Sequence, residues 1–354
     1  MRKIRVLVVD DSVVFREALS MGISSDPSIE VVAKAVDPFD ARDKLLEFHP
    51  DVMTCDIQMP KMDGIEFVRR LLPQYLIPVI VVSTVSDAVF NAMNAGAVDF
   101  ITKPDAGSTE SVKLFIEELI AKIKIAAYAK VSIPKSNVGD NLTQKINNKA
   151  DKPEGFNLSI PNKRAYSDQV IAIGSSTGGT EAVSNILKYL PEAIPGIVIV
   201  QHIPPVFSKM FADRLNSSLP LTVREAVNGD IVENGVILIA PGDKHMKLKK
   251  LGNYFKVECL PGEKVNGHCP SVDVLFESVA NVCGDKAIGI ILTGMGHDGA
   301  KGLLSMRKKG ARTIGQDEES SVVYGMPRVA YNIGAVERQL ALDKIPQAIL
   351  SLLR

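Results

Sequence analysis

The stretch IGSSTGGTEA, Ile173–Ala182, decides how the second half of this chain reads. An apolar run, VIAI (170–173), leads into a glycine-rich turn, and Thr180-Glu181-Ala182-Val183 reads as a helix start. A strand, a tight glycine turn and a helix form the unit of a doubly wound parallel sheet. That unit can cradle a phosphate at the helix N-terminus, or it can expose a nucleophilic serine. The spacing G-x-x-x-G-G departs from the dinucleotide pattern G-x-G-x-x-G, and no P-loop lysine is present. The next apolar run, GIVIVQH (196–202), ends in Gln201-His202 where a ribose-binding acid would stand.

The histidine points to different chemistry. A serine hydroxyl is a weak nucleophile until a base takes its proton. His202 lies at the end of the strand expected beside the serine's strand. A third run, IGIILTGMGHDGA (288–300), ends in glycines and His297-Asp298. Groups at the carboxyl ends of parallel strands share one crevice, so serine, histidine and aspartate can converge. The carboxylate would fix the tautomer of the base, and the TGMG turn could aim backbone N–H groups at an oxyanion. Plainer readings stand beside this one. His202 could be a hydrogen-bonded structural residue, and Asp298 could cap the following helix. His202, His245, His268 and His297 could surround zinc, although none shows H-x-x-x-H spacing. Residue chemistry alone leaves the choice between Ser175 and Ser176 open.

The rest of the chain is consistent with a two-domain α/β protein. Its 354 residues suit two domains, and a hydrophobic fraction of 46% supports a real core. A formal net charge of zero, no tryptophan and 5% aromatic residues argue against a nucleic-acid binder. The cysteines Cys55, Cys259, Cys269 and Cys283 form no C-x-x-C pair, which fits a reducing, cytoplasmic setting. The N-terminal run ends in two aspartates, so it reads as a strand and not a signal peptide, and no segment is expected to insert in a membrane. Strand and helix textures alternate over 1–125 and again over 169–354, where MKLKKLGNYFKVECL reads as a β-hairpin about Gly252-Asn253. Between them, 126–168 is rich in Asn, Lys, Ser and Pro and reads as a flexible linker. The expected fold is therefore two doubly wound parallel sheets in tandem.

In the first half, Asp10 and Asp11, then Asp56, then Ser83, then Lys103-Pro104 all fall at expected strand ends. Clustered carboxylates repel one another, and a hard divalent cation such as Mg²⁺ relieves that repulsion. Asp56 could then attack a phosphoryl group.

The half with VVDDS, DIQMPKMDG, Ser83, Phe100 and Lys103-Pro104 resembles the receiver domain of two-component response regulators. The resemblance implies a flavodoxin-like sheet, with Asp56 as phospho-acceptor fed by a histidine kinase. It implies Mg²⁺ held by Asp10, Asp11, Asp56 and the Gln58 carbonyl. It also implies phosphoryl contacts from Ser83 and Lys103, with Phe100 as the switch aromatic. The second half resembles the catalytic domain of the chemotaxis protein-glutamate methylesterase family, which also acts as a protein-glutamine glutaminase. Six motifs carry this: IGSSTGGTEA, VIVQHIPPVFSKMFADRL, IAPGDKHM, PSVDVLFESVA, LTGMGHDGAKGL and QDEESSVVYGMPRVA. It implies a Rossmann-like sheet, Ser176 as nucleophile, His202 as base, Asp298 as orienting carboxylate and a Met295 backbone N–H in the oxyanion hole. The implied substrates are chemoreceptor cytoplasmic domains, and the ester chemistry needs no cofactor. Cys269 stands where the family usually has arginine.

Overall fold

Two parallel sheets and one small antiparallel sheet account for the strands in a computed structural model that describes residues 2–84, 86–104, 109–131 and 168–353. Of the expected linker, residues 132–167 lie outside the described residues.

The first unit runs β1 (Ile4–Val9), α1 (Val13–Ile23), β2 (Ile29–Ala35), α2 (Pro38–Phe48), β3 (Val52–Asp56), α3 (Gly64–Leu71), β4 (Val79–Ser83), α4 (Ser86–Asn94), β5 (Asp99–Thr102) and α5 (Thr109–Ala126). Its five strands pair in parallel in the order β2-β1-β3-β4-β5, the flavodoxin-like order. The central strands β3 and β4 are buried along their whole length, as VMTCD and VIVVS require when helices cover both faces. Sharp caps open the helices. Ser12 caps α1, Asp37 caps α2 and Asp63 caps α3, each accepting a backbone N–H of the first turn.

The second unit runs β6 (Val170–Ser175), α6 (Gly179–Leu187), β7 (Gly196–Gln201), α7 (Pro205–Ser218), β8 (Thr222–Glu225), β9 (Ile231–Val232), β10 (Val236–Ile239), β11 (His245–Leu251), β12 (Tyr254–Leu260), α8 (Val272–Cys283), β13 (Ala287–Ile291), α9 (Ala300–Lys308), β14 (Arg312–Gln316), α10 (Met326–Asn332), β15 (Arg338–Leu340) and α11 (Ile345–Leu352). Seven of these strands form a parallel sheet ordered β15-β14-β13-β6-β7-β10-β8. Strand order reverses beside β6, so the ends of β6, β7 and β13 border one crevice. The expected hairpin is β11–β12, and β9 adds a third antiparallel strand to it. Helix α7 was not foreseen. Its VFSKMFADRLNSS has a polar, weakly periodic texture, yet Phe207 and Phe211 are fully buried.

The reason is that Phe207 and Phe211 meet the first unit. Phe100 of β5 lies 4.6 Å from Phe207 between ring centroids, and Phe90 of α4 stacks on Phe211 at 5.9 Å and 16°. Arg214 of α7 sits over the Phe90 ring at 5.4 Å and donates to the Asn94 side chain at 2.5 Å. Each buried phenylalanine contributes roughly 1.5–3 kcal/mol by leaving water, so these rings hold the two units more firmly than the exposed polar bonds do. The start of the expected linker is also tied down. The Lys130 N–H donates to the Val322 carbonyl at 2.8 Å, and Val131 packs on the core.

No helix among the described residues is long and apolar enough to cross a membrane.

Candidate active site

The Ser175-Ser176 turn follows directly from β6. Ser175 is the last residue of the strand and is fully buried, and its hydroxyl donates to Gln201 Oε1 at 2.6 Å. Ser176 is partly exposed, and its N–H donates to the Thr293 carbonyl at 3.0 Å. The structure thus separates the two serines by environment. Gly178 has φ +76°, and a Cβ there would lie 2.7 Å from the Val322 side chain. A Cβ on Gly294 would lie 2.6 Å from the Ser176 Cβ, so the TGMG turn approaches the serine only because that residue is glycine.

Gln201 binds the turn to the neighbouring strand. Its Nε2 donates to the carbonyls of Ser176, at 2.9 Å, and His202, at 3.2 Å. The His202 N–H in turn donates to the Ser175 carbonyl at 3.0 Å. His202 Nε2 lies 2.9 Å from Asp298 Oδ2. An ionised carboxylate only accepts, so Nε2 carries the proton and Nδ1 holds a free lone pair. Nδ1 is buried and has no hydrogen-bond partner among the described residues.

Asp298 is an anion set in a cradle. Oδ2 also accepts from the Val272 N–H at 2.7 Å. Oδ1 accepts from Asn266 Nδ2 at 2.7 Å, Ser271 Oγ at 2.8 Å and the Asp273 N–H at 3.2 Å. Val272 and Asp273 open α8, and Ser271 is its N-cap, so the carboxylate sits at the positive end of a helix. Burial pushes its pKa up, but the bonds from His202, Asn266 and Ser271 outweigh that and hold it well below the usual carboxylate range. PSVDVLF is therefore the motif that builds this anion cradle, a role its sequence did not disclose. Met295, two residues past the Thr293 carbonyl that receives the Ser176 N–H, is 41% exposed.

Among the described residues, no three histidines bring ligand atoms together. His245 bonds the Glu263 carbonyl and the Ser271 N–H, while His268 stacks flat on His202. Cys269 is partly exposed, and burial and the nearby Asp243 raise its thiol.

In the first unit, Asp10, Asp11 and Asp56 bring carboxylate oxygens within 4.8 Å of one another. Lys103 Nζ reaches Asp10 at 2.8 Å and Asp56 at 2.6 Å. Burial raises the Asp56 pKa, and Lys103 offsets this only in part. Burial pulls Lys103 down, and its bonds to Asp10 and Asp56 more than reverse that. An acidic pocket with this residual cost fits a hard divalent cation, with oxygen ligands only. Gln58 lies beside it, its N–H donating to Asp56 Oδ1 at 3.3 Å. Ser83 is fully buried at the end of β4, and the exposed Thr84 donates to the Gln58 side chain. Phe100 is buried and faces Phe207.

A further bond ties the Ser176 turn to the first unit. Thr177, next to Ser176, donates from Oγ1 to Asp99 Oδ2 at 3.1 Å, and Asp99 pairs through Oδ1 with the half-buried Lys122 at 2.8 Å. Thr177, Gln201, Asn266 and Ser271 were not singled out from the sequence. The Asn266-Gly267 turn signal was available, but nothing local tied it to Asp298.

Fold and site together define a class: a receiver-like unit with a pocket of three carboxylates and a lysine, docked on a parallel-sheet unit with a serine, histidine and aspartate at its strand ends. Comparison with known proteins narrows this. The response regulator receiver domain family matches residues 6–110, and the CheB methylesterase family matches residues 171–349. The protein-glutamate methylesterase/protein-glutamine glutaminase 2 of Syntrophomonas wolfei is 54% identical over all of this chain and 98% of its own length. The corresponding protein of Syntrophotalea carbinolica is 46% identical over 99% of this chain and 98% of its own. The crystal structure of the Thermotoga maritima CheB methylesterase catalytic domain is 40% identical, with a TM-score of 0.51, over 52% of this chain and 99% of that one. The chain belongs to the protein-glutamate methylesterase/protein-glutamine glutaminase family.

Proposed function

We propose that this chain hydrolyses glutamate methyl esters on chemoreceptor cytoplasmic domains by a Ser176–His202–Asp298 acyl-enzyme mechanism, released by phosphorylation of Asp56. The observation that carries the catalytic part is the His202 ring, bonded to Asp298 on one nitrogen and buried with no partner on the other. That nitrogen, Nδ1, is the base. It takes the Ser176 proton as Oγ attacks the side-chain carbonyl. The Met295 N–H supports the oxyanion. Collapse of the tetrahedral adduct breaks the C–OCH₃ bond, and His202 returns the proton to the leaving oxygen as methanol departs. Water then gives a proton to His202, attacks the acyl-serine and releases glutamate, and the proton returns to Ser176. A glutamine side chain follows the same path with ammonia leaving.

In the receiver, Asp56 accepts the phosphoryl group from a histidine kinase, and Asp10, Asp11, Asp56 and the Gln58 carbonyl would hold Mg²⁺. The bound ion would neutralise charge on the incoming phosphoryl group. Lys103 leaves its pair with Asp56 to bind a phosphoryl oxygen, and Ser83 binds another. The Phe90–Phe100 surface over Phe207 and Phe211, with the Asp99–Thr177 bond, supports a receiver that restrains the nucleophile turn. Movement of Phe100 on phosphorylation loosens that contact.

Removing residues 1–125 is expected to raise methanol release without phosphodonor by at least about tenfold, the equivalent of 1.4 kcal/mol of restraint. A truncated protein no faster than the unphosphorylated whole sinks the restraint. Asp56→Asn in the full chain is expected to erase any response to phosphodonor, measured as the rate with and without acetyl phosphate. Methanol release from methylated receptor, absent in Ser176→Ala, tests the reading as a whole.

A further inference from the structure

Beside the base–carboxylate pair stands a short turn that the mechanism above leaves unused. Val265 and His268 exchange backbone hydrogen bonds at 3.0 Å in both directions. The two residues between them, Asn266 and Gly267, have φ of +53° and +85°. Asn-Gly suits such a tight turn because both central residues need the left-handed region. The turn presents two side chains in one direction. Asn266 Nδ2 lies 2.7 Å from Asp298 Oδ1 and 2.7 Å from Asp273 Oδ2. The His268 ring lies flat on the His202 ring, with centroids 3.7 Å apart and planes within 9°.

We propose that the Val265–His268 turn is a clasp on the base–carboxylate pair, in which His268 is a positioning residue whose neutral aromatic face steadies His202 as it becomes imidazolium. This deepens the catalytic reading above and rests on it. A flat stack fixes the plane of the His202 ring, and within that plane the bond from Nε2 to Asp298 sets its orientation. When His202 gains the serine proton, the charge spreads over a ring whose face touches a π system, and a cation on such a face is stabilised. The stabilisation works only if His268 stays uncharged, since a second imidazolium at this distance would repel the first. Its surroundings keep it so. Burial and His202 lower its pKa to about 4, helped by Lys264 and His297 and opposed by Asp298. Asn266 completes the clasp by bonding Asp298 Oδ1 together with Asp273 in the first turn of α8.

The test uses the full chain with acetyl phosphate, a methylated receptor fragment, and kcat and KM from methanol release. His268→Ala is expected to lower kcat by about 3- to 30-fold, the range of a cation–π contact, with KM little changed. His268→Phe keeps a neutral face and should stay within about 3-fold of the wild type, while His268→Gln, polar but not aromatic, should behave as alanine does. Circular dichroism melting checks that each variant is folded, and the Phe–Gln pair decides the matter if the alanine variant is not. Wild-type rates in His268→Ala overturn the proposal. So does an effect confined to KM, or a Gln variant faster than the Phe variant, because each assigns His268 a role other than a stacked face. Ser176→Ala run alongside separates the two levels. If it stays active the triad reading fails, and if it is inactive while His268→Ala is normal only the clasp fails.

Discussion

Replacing Ser176 with alanine is expected to cut methanol release by about 10⁴- to 10⁶-fold, leaving only what binding and the oxyanion site supply. The fold should be untouched, since Ser176 contributes to packing mainly through its backbone, bonded to Thr293 and held by Gln201. Ser175→Ala is the matched control. Its hydroxyl is fully buried and committed to Gln201 at 2.6 Å, so it cannot reach a substrate. Losing that bond should cost about 1 kcal/mol of stability and leave most activity, because the alanine strands the Gln201 oxygen and loosens the turn. Parallel measurements of methanol release and thermal unfolding check both. Full activity in Ser176→Ala, or loss confined to Ser175→Ala, would move the nucleophile.

Asp298→Asn is expected to lower the rate by about 10⁴-fold, through the wrong histidine tautomer and not through lost geometry. The present carboxylate accepts five bonds and donates none. An amide there must point an N–H₂ at His202 or at the donors of α8. Facing His202, it calls for an unprotonated Nε2, which puts the proton on Nδ1 and removes the base. Stability changes too, by about 1.5–3 kcal/mol at neutral pH, the range for losing a hydrogen bond to a charged group. The sign with pH follows from the lowered pKa of Asp298. The folded state holds the proton less tightly than the unfolded chain. The carboxylate's contribution is therefore complete above the ordinary aspartate value of about 4 and is lost as pH falls through the range below it. The stability gap between wild type and Asp298→Asn should narrow on acidification below that value. A constant gap from pH 7 to pH 3 would contradict the strongly held anion.

The parallel sheets were legible because their cause is local. Runs such as VLVV, VIVV and IVIV are apolar without alternation, and each gives way to a polar or glycine turn and then a helical period. That the ends of β6, β7 and β13 border one crevice was legible for the same reason, since parallel strands place their carboxyl ends on one edge. Helix α7 was not legible. Its buried face is closed by Phe90 and Phe100, which lie more than a hundred residues earlier in the chain. A face buried against a distant unit leaves only a weak local period.

The sequence by itself determined two parallel-sheet units, the polar residues at their strand ends, and a family resemblance from its long motifs. Tertiary structure alone decided which serine is sealed off, which donors keep Asp298 ionised, and what lies against His202. Those depend on through-space contacts: Gln201 across from Ser175, the first turn of α8 behind Asp298, and a two-residue turn carrying Asn266 and His268. A strand's period of two and a helix's of 3.6 report which face is buried. They carry no information about which polar group from another element will meet that face, and here that meeting sets the electrostatics of the site.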